Sequence, residues 1–150
     1  MATVHPILNQ LNLVARDFDA TLAFYRRLAL EVPDGSPSPE GVRHTGLTMS
    51  NGLALEFDNE ALARLYNAAW RRPGGSSRLL LGFSLPSWDE VDRLYRALTA
   101  AGYEGRQPPY DAFWGARYAV LADPDGNDVG LMSPLDERRR SWPPKDSPAP

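Results

Sequence analysis

The chain of 150 residues repeats itself at an offset of 70 residues, and this repeat limits its possible folds more than any other feature. The matched pairs are Leu13 with Phe83, Phe18 with Trp88, Asp19 with Asp89, Tyr25 with Tyr95, Arg26 with Arg96, and Leu28 with Leu98. Near the ends of the halves the offset becomes 74, where residues 55–57 match 129–131. Chance similarity between two amphipathic helices is the alternative, but the recurring order of elements favours duplication. Each half therefore predicts a strand, a helix and about three antiparallel strands.

Hydrophobic periodicity and capping residues predict where these elements lie. The predicted elements are a strand at 7–15, a helix at 18–29 after the N-cap Asp17, a linking helix at 60–72, a strand at 78–86, a helix from the capping box at 87–90 to Ala101, closed by Gly102, and strands at 115–122 and 128–133. The modules then span about 7–58 and 78–134, within one domain at 1–134. Residues 135–150 are charged and rich in proline, so we expect them to be mostly disordered.

The pair Asn51-Gly52 predicts a β-hairpin, because both residues tolerate the positive φ angles of a two-residue turn. A two-residue loop would place Ser50 opposite Leu53 and Leu47 opposite Glu56. With that register, His44 lies on the side of the sheet that faces the helix.

The predicted fold class is α+β, with two βαβββ modules that form a curved eight-stranded mixed sheet around a cleft. Alternation along the strands predicts which side chains line that cleft. In the first half they are Gln10, Asn12, Leu47, Met49, Ala54 and Glu56, and in the second half they are Leu80, Gly82, Ser84, Asp128, Gly130 and Met132.

Composition excludes several classes of function. The sequence has no cysteine, so it can form neither a disulfide nor a thiolate metal site. A net charge of −3 gives no basic field for nucleic acid. No apolar run approaches the length of a membrane span, and the N-terminus lacks the pattern of a signal peptide. We therefore expect a soluble, cytoplasmic protein without nucleic-acid or membrane partners.

Two segments resemble the vicinal oxygen chelate superfamily, which includes glyoxalase I, extradiol dioxygenases, fosfomycin-resistance enzymes and bleomycin-resistance proteins. They are LNQLNLVARDFDATLAFYRRL at 8–28 and FWGARYAVLADPDGNDVGLMSP at 113–134. The resemblance covers about residues 7–134.

The resemblance implies one metal-ligand position on each of four strands, here Gln10, Glu56, Leu80 and Gly130. Gln10 and Glu56 can ligate a divalent ion through oxygen, whereas Leu80 and Gly130 cannot. Residues 74–88 contain no His, Glu, Gln or Asp, and Asp128 lies two residues from the expected position. We therefore expect no cofactor, with a divalent metal ion as the alternative.

Because two of the four positions lack a ligand side chain, the sequence favours a metal-free binding protein, similar to the bleomycin-resistance proteins that sequester an antibiotic in a homodimer. The ligand would be a small aromatic or cationic molecule. The residues expected to contact it are Gln10, Asn12, Met49, Glu56, Phe113, Trp114 and Asp128, with Tyr110 in the same loop as the two aromatic residues. The alternative is a glyoxalase-like or dioxygenase-like enzyme, a lyase or oxidoreductase. That enzyme would use an atypical metal site or Glu56 as an acid/base catalyst.

Overall fold

A computed structural model describes residues 5–75, 77 and 79–141, and these divide into two compact units between Pro73 and Gly74. The first unit contains β1 (Gln10–Ala15), α1 (Phe18–Arg27), β2 (His44–Thr48), β3 (Ala54–Asn59) and α2 (Glu60–Tyr66). The second unit contains β4 (Leu80–Ser84), α3 (Trp88–Ala100), β5 (Gly105–Asp111), β6 (Arg117–Ala122), β7 (Asp128–Met132) and a 3₁₀ helix (Glu137–Arg139). The predicted α+β class is confirmed. No helix in these described ranges has both the length and the apolar character needed to cross a membrane.

The two units share one pairing scheme, as the repeat predicts. In the first unit β1 pairs in parallel with β3, and in the second unit β4 pairs in parallel with β7. The sheet orders are β1-β3-β2 and β4-β7-β6-β5. The described residues therefore contain seven strands, one fewer than the predicted eight, because the first unit has two strands after α1. The segment before β2 carries three prolines within 33–39, which disfavour a further ladder.

Helices α1 and α3 each cover one face of the sheet in their own unit. In the first unit Tyr25 of α1 is fully buried and its ring lies 5.1 Å from that of Phe57 in β3. In the second unit Val91, Leu94 and Leu98 of α3 are buried, as are Val129 and Leu131 of β7. Each such side chain contributes about 1.5–3 kcal/mol by leaving water. The predicted division of β7 between a core face and an open face is confirmed.

The predicted helix caps also form. Asp17 accepts a hydrogen bond from the backbone N–H of Ala20 at 3.0 Å, and Ser87 accepts one from Glu90 at 3.3 Å. Gly102 follows α3 with a φ of 95°, a conformation that glycine adopts without strain. These local signals fix where α1 and α3 begin, and where α3 ends.

The hairpin between β2 and β3 has a three-residue loop, so the predicted two-residue loop is wrong. The N–H of Met49 donates to the carbonyl of Leu53 at 2.8 Å, and the N–H of Gly52 donates to the carbonyl of Met49 at 2.8 Å. Gly52 has a φ of 88°, which is the left-handed third residue of such a loop. Asn51 therefore occupies the second loop position and Gly52 the third.

One extra loop residue shifts the register by one and turns every side chain of β2 over. Leu47 lies opposite Leu55 instead of Glu56, and Gly46 lies opposite Glu56. His44 lies opposite Asp58, on the face away from α1, which corrects its predicted position.

The linking helix is shorter than the predicted 60–72. α2 ends at Tyr66, and Asn67 takes an extended conformation. The Asn67 side chain accepts a hydrogen bond from the N–H of Ala69 at 3.1 Å, and this local bond competes with continuation of the helix. Arg72 instead turns back to Glu60 with two contacts of 2.6 and 2.7 Å.

Strand β5 is the element that the sequence prediction did not locate. Strand β5 contains Pro108 and Pro109. The two prolines are tolerated because β5 is the edge strand of its sheet. Its pairing with β6 is irregular at Gln107. Tyr110 therefore lies on a strand, not in the predicted loop.

The first residues of the tail predicted as disordered adopt defined structure. The N–H of Asp136 donates to the carbonyl of Gly115 at 2.8 Å, and the N–H of Ser141 donates to the carbonyl of Phe113 at 2.8 Å. These bonds hold the 3₁₀ helix against the loop before β6. Residues 142–150 lie outside the described part of the chain.

Candidate functional site

A buried carboxylate organises the open face of the first unit, which is the sheet face away from α1. Asp58 on β3 has a side chain only 1% exposed. Its Oδ2 accepts hydrogen bonds from Asn12 Nδ2 at 2.9 Å and from the Tyr66 hydroxyl at 3.0 Å. Its Oδ1 lies 2.6 Å from Nδ1 of His44. Three polar partners compensate the cost of burying this group.

The imidazole of His44 lies between two carboxylates. Its Nε2 lies 3.3 Å from Oε2 of Glu56, while Nδ1 contacts Asp58. Gly46 makes this possible, because a Cβ at that position would overlap the Glu56 carboxylate. The His44 side chain is 51% exposed and that of Glu56 is 23% exposed, so this pair is partly open to solvent.

The remaining polar groups extend this arrangement, which we call the Asp58 network: Gln10, Asn12, His44, Glu56, Asp58 and Tyr66. Gln10 Nε2 donates to Asn12 Oδ1 at 2.8 Å. Desolvation, together with the hydrogen bond to Asp58 and the charge of that carboxylate, raises the pKa of Tyr66 to about 12. The Tyr66 hydroxyl therefore stays protonated and acts as a donor to Asp58.

The second unit presents an open face of different character, on the side of its sheet away from α3. Gly82 lies opposite Gly130, and Leu80 lies opposite Asp128. A Cβ added to Gly130 would lie 2.8 Å from the Tyr118 hydroxyl and 3.1 Å from Cδ2 of Leu80. The space above Gly130 is therefore filled by a phenol oxygen and a methyl group.

Four aromatic rings stand beside that face, and we call them the aromatic wall: Tyr110, Phe113, Trp114 and Tyr118. The Trp114 ring lies 5.1 Å from the rings of both Phe113 and Tyr118, in edge-to-face contacts. Tyr110 lies 6.2 Å from Tyr118 and 6.3 Å from Trp114. Such mutual contacts hold the rings in fixed orientations.

The phenols of the aromatic wall are neutral over the physiological range. Burial raises the pKa of Tyr110 above its ordinary value. Burial also raises the pKa of Tyr118, and the charges of the nearby Tyr110 and Asp128 raise it further. Both hydroxyls are therefore available as hydrogen-bond donors.

The structure brings some of the predicted site residues together and separates others. Gln10, Asn12 and Glu56 share the Asp58 network, and Phe113 and Trp114 share the aromatic wall. Met49 continues the side of β2 that carries Leu47, so it lies on the α1 face, away from Glu56. Asp128 lies on the open face of the second unit, where its carboxylate is paired with Arg106.

Sequence reasoning missed His44, Asp58, Tyr66 and Tyr118. His44 was missed because the hairpin was given a two-residue loop, and Asp58 was missed because alternation along β3 gives its face but not its partners. The signal that could have found His44 is a burial pattern: only the shifted register places Thr45 with Phe57, and both are buried. Tyr66 was missed because helical spacing does not reveal its hydrogen bond to Asp58.

The four positions that the family resemblance assigns to metal ligands do not fit a metal ion. In the second unit Leu80 offers hydrocarbon, and the space at Gly130 is occupied. In the first unit Gln10 Nε2 is turned to Asn12, and Glu56 is turned to His44. Over residues 5–75, 77 and 79–141, no group of three or more His, Cys, Asp or Glu side chains is arranged to hold an ion.

Comparison with known structures identifies the fold. A glyoxalase/bleomycin resistance protein/dioxygenase family enzyme from Burkholderia phytofirmans PsJN is 25% identical, with a TM-score of 0.70, and covers 85% of this chain and 98% of its own. A glyoxalase/bleomycin resistance protein/dioxygenase from Nocardioides is 23% identical, with a TM-score of 0.68 and coverage of 97% and 93%. The fosfomycin resistance protein FosX from Listeria monocytogenes, complexed with Mn(II) and sulfate, is 16% identical, with a TM-score of 0.64 and coverage of 91% and 98%.

A search of curated proteins gave no match. A family model, described as the Glyoxalase/Bleomycin resistance protein/Dioxygenase superfamily, matches residues 7–131. That range covers most of both units and all residues of the Asp58 network and the aromatic wall. The chain therefore belongs to the glyoxalase/bleomycin resistance protein/dioxygenase superfamily.

Proposed function

We propose that this chain binds a small, planar aromatic molecule without a metal ion, in the manner of a sequestering resistance protein. One observation carries the proposal: the open face of the second unit offers the aromatic wall where the superfamily resemblance would place metal ligands. Leu80 and the Tyr118 hydroxyl fill the space above Gly130, so that position contributes apolar contact and a phenol donor.

The shape of this face suits a flat ligand. Gly82 and Ser84 of β4 are exposed and have little or no side chain, so a ring can approach the backbone of the sheet. The aromatic wall offers faces and edges for stacking, and each such contact adds about 0.5–1.5 kcal/mol beyond burial of area. A neutral ring is preferred to a cation here, because the charge of Asp128 is already compensated by Arg106.

The metal-assisted alternative has less support. Glyoxalase-like or dioxygenase-like chemistry needs several ligands on one ion, and the part of the chain that the structure describes holds no group of three or more His, Cys, Asp or Glu side chains arranged to supply them. Glu56 is committed to the Asp58 network, where it faces an imidazole.

A homodimer in the cytoplasm is part of the proposal. Ile7, Leu8 and Leu65 are 85%, 75% and 72% exposed, and a second copy would remove such apolar side chains from water. Size-exclusion chromatography with light scattering would measure the mass of the particle.

Thermal-shift measurements with a panel of planar aromatic compounds, antibiotics included, test the binding function. A ligand at 100 times its dissociation constant adds about 2.7 kcal/mol to the free energy of unfolding. We expect Trp114→Ala to remove most of that stabilisation, because it removes the ring that contacts the other three. Trp70→Ala is the matched control, since Trp70 lies in the first unit against Arg64, and it should keep the full effect. A panel without a stabilising compound, or equal shifts in both variants, would contradict the proposal.

A further inference from the structure

We propose that a cavity between the start of α3 and the 3₁₀ helix binds a small aromatic molecule that carries a carboxylate or phosphate group. We call this cavity the arginine pocket, and the lining residues that matter to the argument are Trp88, Asp111, Phe113, Arg138, Arg139 and Arg140. The inference goes beyond binding at the aromatic wall, with which the arginine pocket shares Phe113 alone.

The arginine pocket has the size of a site for an organic molecule. Its volume is about 340 Å³, and sites for small molecules usually have about 300–1,000 Å³. The Arg138 side chain is 89% exposed, so the cavity can be reached from solvent. A compound with one or two rings therefore fits it better than an inorganic ion does.

The wall that carries the arginines is held in place by the rest of the second unit. The backbone N–H groups of Asp136 and Ser141 donate to the carbonyls of Gly115 and Phe113, each at 2.8 Å. The guanidinium of Arg139 lies 4.3 Å from the centre of the Trp88 ring. The site is thus largely formed before a ligand binds, which reduces the entropy lost on binding.

Positive charge predominates on the wall of the arginine pocket. Its described lining carries three guanidinium groups and one carboxylate, that of Asp111. This carboxylate is already paired, because it accepts a hydrogen bond from Nη1 of Arg117 at 2.8 Å. The acidic partners of the three arginines, Asp136 and Glu137, are not part of the described lining. An anion in the cavity therefore meets mainly guanidinium groups.

Two of these guanidinium groups have hydrogen-bond donors to spare. Nε of Arg139 lies 3.6 Å from Asp136, and Nη1 of Arg140 lies 3.4 Å from Glu137. Both contacts are longer than a charge-assisted hydrogen bond of about 2.7–2.9 Å. A guanidinium group offers several N–H donors in a planar fork that matches the oxygens of carboxylate and phosphate alike. These donors fix the charged part of the ligand.

The rings of Trp88 and Phe113 define the apolar part of the ligand. Phe113 is 37% exposed, and Trp88 is half-buried beneath Arg139. Both can contact a ring by stacking or edge-to-face packing. A neutral aromatic compound lacks the ionic contacts, and inorganic phosphate lacks the ring contacts. The ligand class that uses both parts of the wall is the aromatic carboxylate or phosphate ester.

Three probes with the same ring test this class: 2-naphthoate, 2-naphthyl phosphate and the neutral 2-naphthamide. The indole N–H signal of Trp88 in ¹H–¹⁵N spectra reports binding, and its loss in Trp88→Phe assigns it among the four tryptophans. We expect at least one of the anions to bind at least about tenfold more tightly than the amide, because hydrogen bonds to charged groups are the stronger ones. Equal affinity for acid and amide would overturn the proposal, as would a Trp88 signal that neither anion shifts.

A pair of double variants locates the charge that the ligand recognises. We expect Arg138→Gln with Arg140→Gln to weaken binding of 2-naphthoate at least about tenfold, while Arg139 stays on Trp88. The matched control is Arg64→Gln with Arg93→Gln, which changes two exposed arginines outside the cavity and should keep the affinity. Both double variants lower the net charge from −3 to −5. An equal loss in the two would mean that overall charge alone attracts the anion, and no loss in either would exclude the arginine pocket as its site.

The two proposals for this chain can fail separately. The test of the aromatic wall depends on Trp114, which is not among the described lining residues of the arginine pocket. The test of the arginine pocket depends on the charge of the ligand and on Arg138 and Arg140. Loss of the preference for acid over amide would overturn the arginine pocket and leave the aromatic wall in place.

Discussion

At the scale of single residues, Asp58 shows how a strand position can be both buried and polar. A carboxylate out of water is costly unless each oxygen has a partner, and here Asn12, His44 and Tyr66 supply them. The same three contacts make Asp58 a determinant of stability and of the direction of His44. Its role was not predictable from alternation alone, because an alternating pattern gives the face of a residue and not its partners.

Removal of this carboxylate should therefore destabilise the protein. We expect Asp58→Ala to lower the free energy of unfolding by about 2–4 kcal/mol, since three polar groups lose their partner in a partly buried place. Urea denaturation measures the difference. Asp34→Ala is the matched control: Asp34 is 87% exposed and pairs with Arg26, and such surface pairs contribute about 0–1 kcal/mol. Equal losses in the two variants would show that the Asp58 network does not stabilise the fold.

Tyr66 gives a pH dependence with a defined sign. Its pKa of about 12 in the folded chain lies above the ordinary value of 10.0. The folded state holds the phenol proton more tightly, so the stabilisation is fully present below about pH 10 and is lost as the pH rises through about 12.

The absorbance of tyrosinate in wild type minus that in Tyr66→Phe isolates this group among the six tyrosines. We expect the difference curve to have its midpoint near 12. A midpoint near the ordinary value would mean that the phenol does not donate to Asp58.

At the scale of elements, sequence signals located helices better than strand pairing. The caps Asp17 and Ser87 and the stop at Gly102 are local, so they could be identified from neighbouring residues. Register depends on the length of a loop, and the pair Asn51-Gly52 is compatible with two lengths. The three-residue loop is the one that buries Thr45 and Phe57 together on the α1 face, so tertiary packing decides the loop length.

The three-residue loop requires a positive φ angle at Gly52. Its φ of 88° is strained for residues with a Cβ, although nothing lies within 4 Å of an added Cβ. We expect Gly52→Ala to cost about 1–2 kcal/mol by strain alone. Gly52→Asn should cost less, because asparagine adopts the left-handed region more readily. Urea denaturation compares the two, with Gly74→Ala as a control at another open position. Equal costs for alanine and asparagine at Gly52 would argue against the left-handed loop.

At the scale of the whole molecule, the repeat was the most informative signal in the sequence. The offsets of 70 and 74 residues correspond to β1 with β4, α1 with α3, and β3 with β7. The fold class followed from them because element order and spacing survive where residue identity does not. The residues on the open faces could be predicted only in part. Which groups fill the space on such a face depends on side chains that reach over from neighbouring strands, as Tyr118 does above Gly130.

This chain is a superfamily member that lacks metal-ligand side chains at two of the four expected positions. A bound ion would stabilise the folded state by mass action, so its removal would lower the thermal midpoint. Because Leu80 and Gly130 provide no donor and Gln10 and Glu56 are turned to Asn12 and His44, we expect dialysis against EDTA to leave the thermal midpoint unchanged. Elemental analysis of untagged protein should find less than one Zn, Ni, Mn or Fe per chain. A stoichiometric ion whose removal lowers the midpoint in wild type, but not in Glu56→Gln, would restore metal chemistry to this chain and contradict the proposed metal-free binding. The comparison with Glu56→Gln separates a specific site from ions bound elsewhere on the acidic surface.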